Sequence, residues 1–324
     1  MVPSNVASEG INVILVGDLA QLPPVTDNQV FHSPIWRLFY PLFLTISQRQ
    51  GDDLTFFETL QKIRLGNIDD STWGFLQTKH ETDRLKRHEI FTTAHITGFR
   101  ATALEYNNVI CSHLPKPNSD EISSLISPSV DYIQDQEWLP SHADQIFRTR
   151  TNLVSDLQIH IGARVMFLNN TLFESGLCNG TIGIVSAIIS DNDEDEDEDA
   201  DCAIHVAFPT KSQMVEVAVR RITDHFLCDG QQYSRTQFPL QIAFALTVHK
   251  TQGLTLPHIS IALNSKMFAP GQAYVALSRA PSWSAVSILE LSRDAFKVDQ
   301  QMLREYERLE RIHHNGLQQL MQTP

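Results

Sequence analysis

The chain has 324 residues, enough for two or three compact domains, and its 42% hydrophobic and 19% charged residues are ordinary for a globular protein. The formal net charge of −13 argues against a generally basic nucleic-acid-binding surface, although the acidic run at residues 191–201 accounts for most of that charge. The four cysteines form no CxxC pair and no apolar run approaches the roughly 20 residues of a membrane helix, so we expect free thiols, no zinc site and no membrane span.

The first predicted element is a buried strand at residues 11–16, followed by a loop. The run INVILV is mainly apolar and ends at Gly17-Asp18, which is typical of a buried strand that stops at a loop. Because ligands bind beyond the carboxyl ends of strands in open parallel sheets, Asp18 and Gln21 are predicted to lie at a ligand edge. A helical stretch is predicted at residues 34–43.

The next elements alternate between helix and strand. Residues 54–67 carry apolar side chains at helical spacing and end near Gly66, which predicts a helix with a glycine C-cap. A short strand is predicted at residues 89–94 and another helix at residues 100–114. Proline and serine become frequent between residues 115 and 142, which predicts a loop-rich stretch.

From about residue 159 the pattern changes to short strands separated by turn signals. Several such strands within about 75 residues, with the hairpin-type dipeptide Asn179-Gly180 among them, predict a small antiparallel β-barrel. The acidic run at residues 191–201 falls between two of these strands. It repels itself and is interpreted as a solvated, disordered loop, with an electrostatic mimic or interaction tail as the alternative.

After Pro239 the α/β pattern returns, and the chain closes with an amphipathic helix. Met302, Tyr306 and Leu309 recur at helical spacing among charged residues near the end of the chain. The predicted architecture is therefore an α/β domain interrupted by a β-barrel, behind a fragment of another α/β domain. The predicted ranges are 1–48 for the fragment, 49–158 and 237–293 for the α/β domain, 159–236 for the barrel and 294–324 for the helix.

Five stretches, taken together and in this order, resemble the motifs of the superfamily 1B DNA helicases. They are GDLAQLPPV at 17–25, SQRQGDDLTFFETLQKIRLGN at 47–67, GARVMFLNNT at 162–171, FALTVHKTQGLTL at 244–256 and AYVALSRA at 273–280. The set is similar to the petite-integration-frequency helicases and their Helitron-transposon relatives, with RecD-like helicases as cousins. The resemblance implies the C-terminal end of a first RecA-like domain, then a RecA-like parallel-sheet domain interrupted by a small antiparallel β-barrel.

The resemblance also implies a set of residues at a nucleotide. Gln21 is expected at the γ-phosphate or its attacking water, Arg279 as the arginine finger and Arg49 as a second arginine. Hydrolysis between two RecA-like domains needs charge stabilisation from both sides of the cleft, and a planar guanidinium suits spreading phosphoryl charge. The full nucleotide-contacting set is Gly17, Asp18, Gln21, Gln252, Gly253 and Arg279. The alternatives are a turn-stabilising Gln21, a surface Arg279 and a helix-start salt bridge at Arg49, while Tyr274 is interpreted as a core residue.

A second implied set contacts single-stranded DNA. Thr247, His249 and Lys250 follow a predicted buried strand, and their hydroxyl, imidazole and amine groups suit phosphate contacts that position a strand without reading its sequence. Each alone is more often merely exposed or packed. The family also contacts DNA at the positions that match Thr93, His95 and Asn107.

Two parts of the family's ATPase site are absent from this sequence. There is no GxxxxGK[ST] phosphate loop, and none of the eight lysines follows a glycine. The acidic pair that holds Mg²⁺ is also absent, because Asp120-Glu121 follows a proline-rich stretch that cannot be a buried strand. ATP and Mg²⁺ are thus expected cofactors of the full-length family, with no metal ligands here and a missing N-terminal ATPase half as partner. A truncated gene model, a transposon-derived relic and a degenerate accessory protein all fit, and we favour truncation.

Two functions are therefore expected. The first is ATP-dependent 5′-to-3′ DNA unwinding in repair, recombination, telomere or transposon maintenance, represented here by a C-terminal part that is inactive alone. The second is a non-catalytic module that binds single-stranded DNA or a protein. A monomer in the nucleus or mitochondrion, with no membrane attachment, is expected in either case.

Overall fold

The computed structural model describes residues 12–24, 27–84, 90–115, 123–134, 136–137, 144–170, 177–190, 202–209 and 213–321. Within these ranges the α-helices are α1 (Leu54–Arg64), α2 (Asp70–Arg84), α3 (Arg100–Ser112), α4 (Asp144–Arg150), α5 (Val248–Thr251), α6 (Gln272–Leu277) and α7 (Gln300–Met321). The strands are β1 (Ala94–Thr97), β2 (Ser124–Pro128), β3 (Val130–Ile133), β4 (Gln136–Glu137), β5 (Asp156–His160), β6 (Arg164–Phe167), β7 (Ile182–Ser190), β8 (Cys202–Pro209), β9 (Met214–Val219), β10 (Ile222–Cys228), β11 (Gln231–Gln237), β12 (Leu240–Ile242), β13 (Ala245–Thr247), β14 (Ile259–Leu263) and β15 (Val286–Leu291). The predicted acidic loop at residues 191–201 lies outside the described residues.

The chain divides into two compact units. The first, called here the α/β unit, takes residues 1–88, 96–99 and 247–324. The second, called the β-rich unit, takes residues 89–95 and 100–246. Each unit is described by itself below.

The α/β unit contains strands β14 and β15 and the ends of strands β1 and β13. In the sheet these strands have the order β13-β1-β14-β15. Strands β14 and β15 pair in parallel, with Ile259 opposite Val286. A Cβ added to Gly98, just after β1, would lie 2.1 Å from the carbonyl oxygen of Lys266, just after β14. Since the segments that leave β1 and β14 touch, the two strands end at the same edge of the sheet, as parallel neighbours do.

Helix α2 covers the edge strand of this sheet. The backbone N–H of Ile288 in β15 donates to the carboxylate of Asp83 at 3.1 Å, and the Nδ1–H of His80 donates to the Ile288 carbonyl at 3.0 Å. An edge strand leaves backbone groups without a ladder partner, and these two side chains satisfy them.

Helix α1 has the ends that its sequence predicts. Asp53 caps its start by accepting the backbone N–H of Phe56 at 3.0 Å. At the other end Gly66 has a φ of 74°, and the N–H of Asn67 donates to the Lys62 carbonyl at 2.8 Å. A left-handed residue favours glycine, so the predicted glycine C-cap is confirmed.

The predicted strand at residues 11–16 is wrong. Its described residues, 12–16, have no regular structure, and Ile14 and Val16 are 87% and 85% exposed. A strand needs a neighbour for its backbone groups, and no described strand pairs with this run. In the predicted helical stretch at 34–43, a 3₁₀ helix covers Pro34–Leu38 only.

Three sheets form the β-rich unit, with the orders β12-β6-β7-β8-β9, β10-β11-β3-β4 and β2-β5. All neighbouring strands in these three sheets pair antiparallel. Their buried core includes Phe167, Phe208 and Phe238. Antiparallel strands lie both inside residues 159–236 and before them, where β2 and β3 occupy a stretch that was predicted to be loop-rich. The barrel as a separate inserted domain stays a prediction.

A buried ion pair lies within the β-rich unit. Arg235 is wholly buried and donates to both carboxylate oxygens of Asp131, at 2.7 and 2.6 Å. Its third donor reaches the Leu153 carbonyl at 3.2 Å, and its guanidinium carbon lies 4.5 Å from the centre of the Phe147 ring. The pair connects β11 to β3 at a point where water has no access.

Helix α7 is amphipathic, as predicted. Met302, Tyr306 and Leu309 are buried, while Glu305 accepts the indole N–H of Trp36 at 2.7 Å. The helix therefore lies along residues 29–43 of the same unit. No helix in the described part of the chain is long and apolar enough to cross a membrane.

Candidate functional site

The loop that carries Asp18 is held by three helices of the α/β unit. One carboxylate oxygen of Asp18 accepts from Arg64 of α1 at 2.9 Å and from the Tyr306 hydroxyl of α7 at 2.8 Å. The other oxygen accepts from the Tyr274 hydroxyl of α6 at 3.0 Å. We call these four residues the Asp18 clasp.

The electrostatics of the clasp keep Asp18 ionised and the tyrosines protonated. Burial raises the pKa of the Asp18 carboxyl, but the charge and hydrogen bonds of Arg64, together with the Tyr306 hydroxyl, outweigh it, so that its pKa lies below the ordinary value. Burial and then the charge of Asp18 raise the pKa of Tyr306 to about 12, and the same causes raise the pKa of Tyr274. The oxygens of Asp18 are engaged within the protein and hold its loop in place. The contact of Asp18 with nucleotide stays a prediction.

The same loop lies closely against the start of α6. Gly271, the N-cap residue of α6, has a φ of 78°, and a Cβ added to it would lie 2.5 Å from the Ala20 carbonyl oxygen and 3.0 Å from that of Gln21. Only glycine adopts this backbone conformation without strain and leaves room for the loop. The helix that leads to Arg279 is thereby set directly beside Gln21.

Gln21 forms a hydrogen bond with Gln252, the other glutamine predicted at the nucleotide. The Nε2 of Gln252, which is exposed, donates to the Gln21 Oε1 at 3.2 Å, although the two residues are 231 positions apart in the chain. The N–H of Gln21 closes a turn onto the Asp18 carbonyl at 3.1 Å. Gly253 follows with a φ of 85° and open space at its Cβ position, and Gly17 is exposed with open space as well.

Arg49 and Arg279 approach each other at the end of α6. Arg49 donates to the Ser278 carbonyl and to the Thr255 hydroxyl, both at 2.9 Å. Arg279 is only 3% exposed and donates to the Val275 carbonyl at 2.8 Å and the Ser278 hydroxyl at 2.7 Å. Among the described residues neither guanidinium forms an ion pair with a carboxylate, so the alternatives of a surface Arg279 and a salt-bridged Arg49 are both wrong.

Burial and charge shift the pKa values of the two guanidinium groups. Burial, followed by the nearby positive charge of Arg49, lowers the pKa of Arg279 to about 10, and burial also lowers the pKa of Arg49. Both arginines remain charged at neutral pH. Two buried or half-buried cations that form no ion pair within the described ranges fit a polyphosphate, which would supply negative charge to both. No cluster of metal ligands lies within the described ranges, so these residues do not fit a Mg²⁺ site.

The predicted DNA-contacting residues divide between the units. In the α/β unit, Thr247 ends β13 and is 9% exposed, and α5 follows it with an exposed His249 and a half-buried Lys250. This short helix presents its imidazole at the surface, as a phosphate contact requires.

In the β-rich unit the predicted residues are buried. Asn107 is 9% exposed, accepts the N–H of Ala245 at 2.7 Å and donates to the Ala245 carbonyl at 3.0 Å. Its amide thus holds the backbone at Ala245. The contact of Asn107 with DNA stays a prediction. Thr93 is 8% and His95 6% exposed, and the His95 ring stacks 5.6 Å from Tyr106, so burial does not support a DNA contact by either side chain.

Sequence reasoning missed three members of the clasp. Arg64 and Tyr306 lie in helices whose spacing identified only apolar faces, and Tyr274 was interpreted as core. Tyr306 does face the core, at 9% exposed, but its hydroxyl is the group that reaches Asp18. A tyrosine on the apolar face of a helix is a signal for such a bond, because a buried hydroxyl requires a partner.

Comparisons with known proteins agree with this geometry. The family model described as DNA helicase Pif1, 2B domain, matches residues 152–188. The chain is 30% identical to the ATP-dependent DNA helicase PIF1 of Mus musculus over 92% of its own length and 43% of that protein. The crystal structure of the Candida albicans Pif1 helicase is similar with a TM-score of 0.73, 27% identity and coverage of 90% of this chain and 67% of that one. The Bacteroides Pif1 helicase in complex with ADP-AlF3 and ssDNA is similar with a TM-score of 0.63, 26% identity and coverage of 90% and 65%.

The fold and the site together match those of RecA-like helicases. The chain belongs to the Pif1 helicase family. It spans less than half of the length of the mouse relative.

Proposed function

We propose that this chain supplies one side of the ATPase site and part of the DNA path of an ATP-dependent DNA helicase. The observation that carries the proposal is the approach of Arg49 and Arg279 beside the Gln21–Gln252 pair, where neither guanidinium forms an ion pair with a carboxylate of the described residues. A transferring phosphoryl group spreads negative charge over its equatorial oxygens, and paired guanidinium donors match that charge.

Each residue has a separate role in this proposal. Arg279 reaches the γ-phosphate as the arginine finger, and Arg49 contacts the same phosphate group. Gln21 and Gln252 exchange their mutual hydrogen bond for contacts with the phosphate or the attacking water. The Asp18 clasp positions the loop so that Gln21 lies beside the start of α6, the helix that leads to Arg279.

We also propose that Thr247, His249 and Lys250 contact the backbone of single-stranded DNA. Thr247 ends β13, and His249 and Lys250 follow it in α5, in the same unit as the nucleotide residues. A change at the nucleotide is therefore transmitted to single-stranded DNA through a few residues. Binding by these groups is expected to be independent of sequence and to weaken as salt rises. Equal affinity of the chain and of a His249→Ala, Lys250→Ala double variant for labelled poly-dT would place the DNA path elsewhere.

The chain alone is proposed not to hydrolyse ATP. Its sequence contains neither the phosphate loop nor the acidic pair of the family, so it needs a partner segment that supplies them. Binding of single-stranded DNA without hydrolysis is then its activity in isolation, in a nuclear or mitochondrial setting. An ATPase assay with single-stranded DNA checks this, and turnover that Arg279→Ala abolishes would contradict it.

A fusion that places the phosphate-loop part of the mouse relative ahead of this chain tests the catalytic proposal. Arg279→Ala in the fusion should lower DNA-stimulated ATP turnover by ~10³–10⁵, the usual value of an arginine finger. Arg304→Ala, an exposed arginine on α7, is the matched control and should leave turnover unchanged. If the folded Arg279→Ala fusion turns ATP over at the rate of the Arg304→Ala fusion, Arg279 does not act on the phosphate.

A further inference from the structure

Two exposed phenylalanines stack on each other at the sheet edge of the α/β unit. Phe99 follows β1 and Phe268 follows β14, and they are 43% and 48% exposed. Their ring centres are 5.0 Å apart with planes tilted by 24°. Large aromatic side chains are usually buried, so a stacked pair that leaves nearly half of its surface in water is a candidate binding site.

The backbone on both sides of the pair is held in place. Gly98 lies against the Lys266 carbonyl, where no side chain would fit, and the Thr97 hydroxyl donates to the Phe99 carbonyl at 3.1 Å. On the other side, Asn264 accepts the Lys266 N–H at 2.9 Å through its side chain. Met267, which is 1% exposed, anchors the turn just before Phe268. The rings are therefore presented by a rigid edge and do not depend on a mobile tip.

Cations accompany the pair. Lys266 and Lys297 are both exposed, and the Lys297 Nζ lies 3.5 Å from the Phe268 carbonyl oxygen. Within the described ranges neither lysine forms an ion pair, although Glu290 is held nearby by a hydrogen bond from Asn264 at 2.6 Å. In a chain with a net charge of −13, two unneutralised lysines beside an aromatic pair favour an anionic, π-bearing ligand.

The position of the pair identifies that ligand. Strand β1 lies between β13 and β14, and in a parallel RecA-like sheet the ends of all three face one edge. Phe99 and Phe268 therefore lie on the edge where Thr247 ends β13 and the proposed phosphate contacts begin. Single-stranded DNA held by His249 and Lys250, as proposed above, lies at this edge of the sheet.

We propose that Phe99 and Phe268 form a stacking platform for a base of single-stranded nucleic acid, with Lys266 and Lys297 at the flanking phosphates. The inference rests on the proposed DNA-binding function and adds to it the residues that contact bases. Every base has a π-face, so the platform increases affinity without selecting sequence. It makes binding depend on bases as well as on phosphates.

Binding of the full chain to two labelled strands separates these contributions. One strand is oligo-dT, and the other is an abasic strand of the same length that keeps the phosphates and lacks the bases. The chain should bind oligo-dT about 5- to 150-fold more tightly at low salt, which is the stacking energy of roughly one base. A Phe99→Leu, Phe268→Leu double variant keeps apolar bulk but loses the π-faces, and it should bind both strands equally.

Controls separate the platform from the fold and from the phosphate contacts. Tyr132→Ala removes an aromatic ring that is 38% exposed in the β-rich unit and should retain the preference for oligo-dT. Lys266→Ala should reduce the slope of log affinity against log salt by about 1, whereas the leucine double variant should leave that slope unchanged. Thermal unfolding of each variant should match that of the unaltered chain, because the replaced side chains are exposed.

The outcomes are distinct. Measurable binding of oligo-dT that the leucine double variant retains in full overturns the platform and leaves the proposed DNA binding intact. No binding of either strand by the unaltered chain at low salt overturns both. A concentration-dependent dimer in analytical ultracentrifugation that only the double variant abolishes also overturns the platform, because the rings would then join two copies of the chain.

Discussion

Replacement of Asp131 should lower the stability of the β-rich unit by much more than the loss of one exposed carboxylate would. Asp131 is 2% exposed and Arg235 is fully buried, and two hydrogen bonds of 2.7 and 2.6 Å join them. Asp131→Ala leaves the guanidinium without its carboxylate in a place that water does not reach. The Leu153 carbonyl and the Phe147 ring remain, but neither neutralises its charge.

The expected cost follows from burial. Breaking a fully buried pair by removing one partner costs about 3–5 kcal/mol, whereas exposed pairs contribute about 0–1 kcal/mol. For a unit of this size that corresponds to a fall in melting temperature of roughly 6–20 °C. Glu216→Ala is the matched control, because Glu216 is 57% exposed and lies 3.9 Å from His205 in the same unit.

The assay must report on one unit, because a chain with two units need not unfold in a single transition. Hydrogen exchange followed by mass spectrometry on peptides from β3 and β11 gives the opening free energy of the β-rich unit alone. Replacement of both partners by apolar residues, Asp131→Leu with Arg235→Met, should recover most of the loss. If Asp131→Ala lowers the opening free energy no more than Glu216→Ala does, the buried ion pair does not stabilise β3 and β11.

Three further predictions concern the loop, the clasp and the acidic run. Gly271→Ala should destabilise the α/β unit by about 1–3 kcal/mol in thermal unfolding, because its Cβ would meet the Ala20 carbonyl at 2.5 Å, whereas Gly74→Ala in α2, where space is open, should be neutral or stabilising. Tyr306 has a pKa of about 12 in the folded chain, above its value of roughly 10 when unfolded, so its contribution is complete below pH 10 and is lost as pH rises toward 12. Tyr306→Phe should therefore lower stability at pH 8 and flatten its alkaline decline, and an unchanged decline in denaturant titrations would show that Tyr306 does not cause it. Replacing residues 191–201 by a short Gly-Ser linker should leave the melting temperature nearly unchanged, since a polyacidic run buries no apolar surface, and a loss of several degrees would show that the run is engaged.

The sequence by itself determined several of the local elements and the family. Helical spacing and Gly66 predicted α1 and its C-cap, and apolar spacing predicted the buried face of α7, because both signals depend on residues within a few turns of one another. The five motif stretches identified the Pif1 helicase family in the same way, since each is a short continuous segment. Gln21, Arg49 and Arg279 were chosen from those segments alone.

Only the tertiary structure decided which residues meet and what each of them contacts. The bond between Gln21 and Gln252 and the approach of Arg49 to Arg279 join positions that are more than 200 residues apart, and no local pattern encodes such a distance. The Asp18 clasp was not predicted because the hydrogen-bond partner of a hydroxyl on an apolar helix face is determined only by how the helix packs in the fold. For the same reason the sequence did not show that Asn107 holds the Ala245 backbone. The apolar run before Gly17 does not form a strand because a strand must pair with a neighbouring strand. An apolar pattern in the sequence does not show whether that neighbour is present.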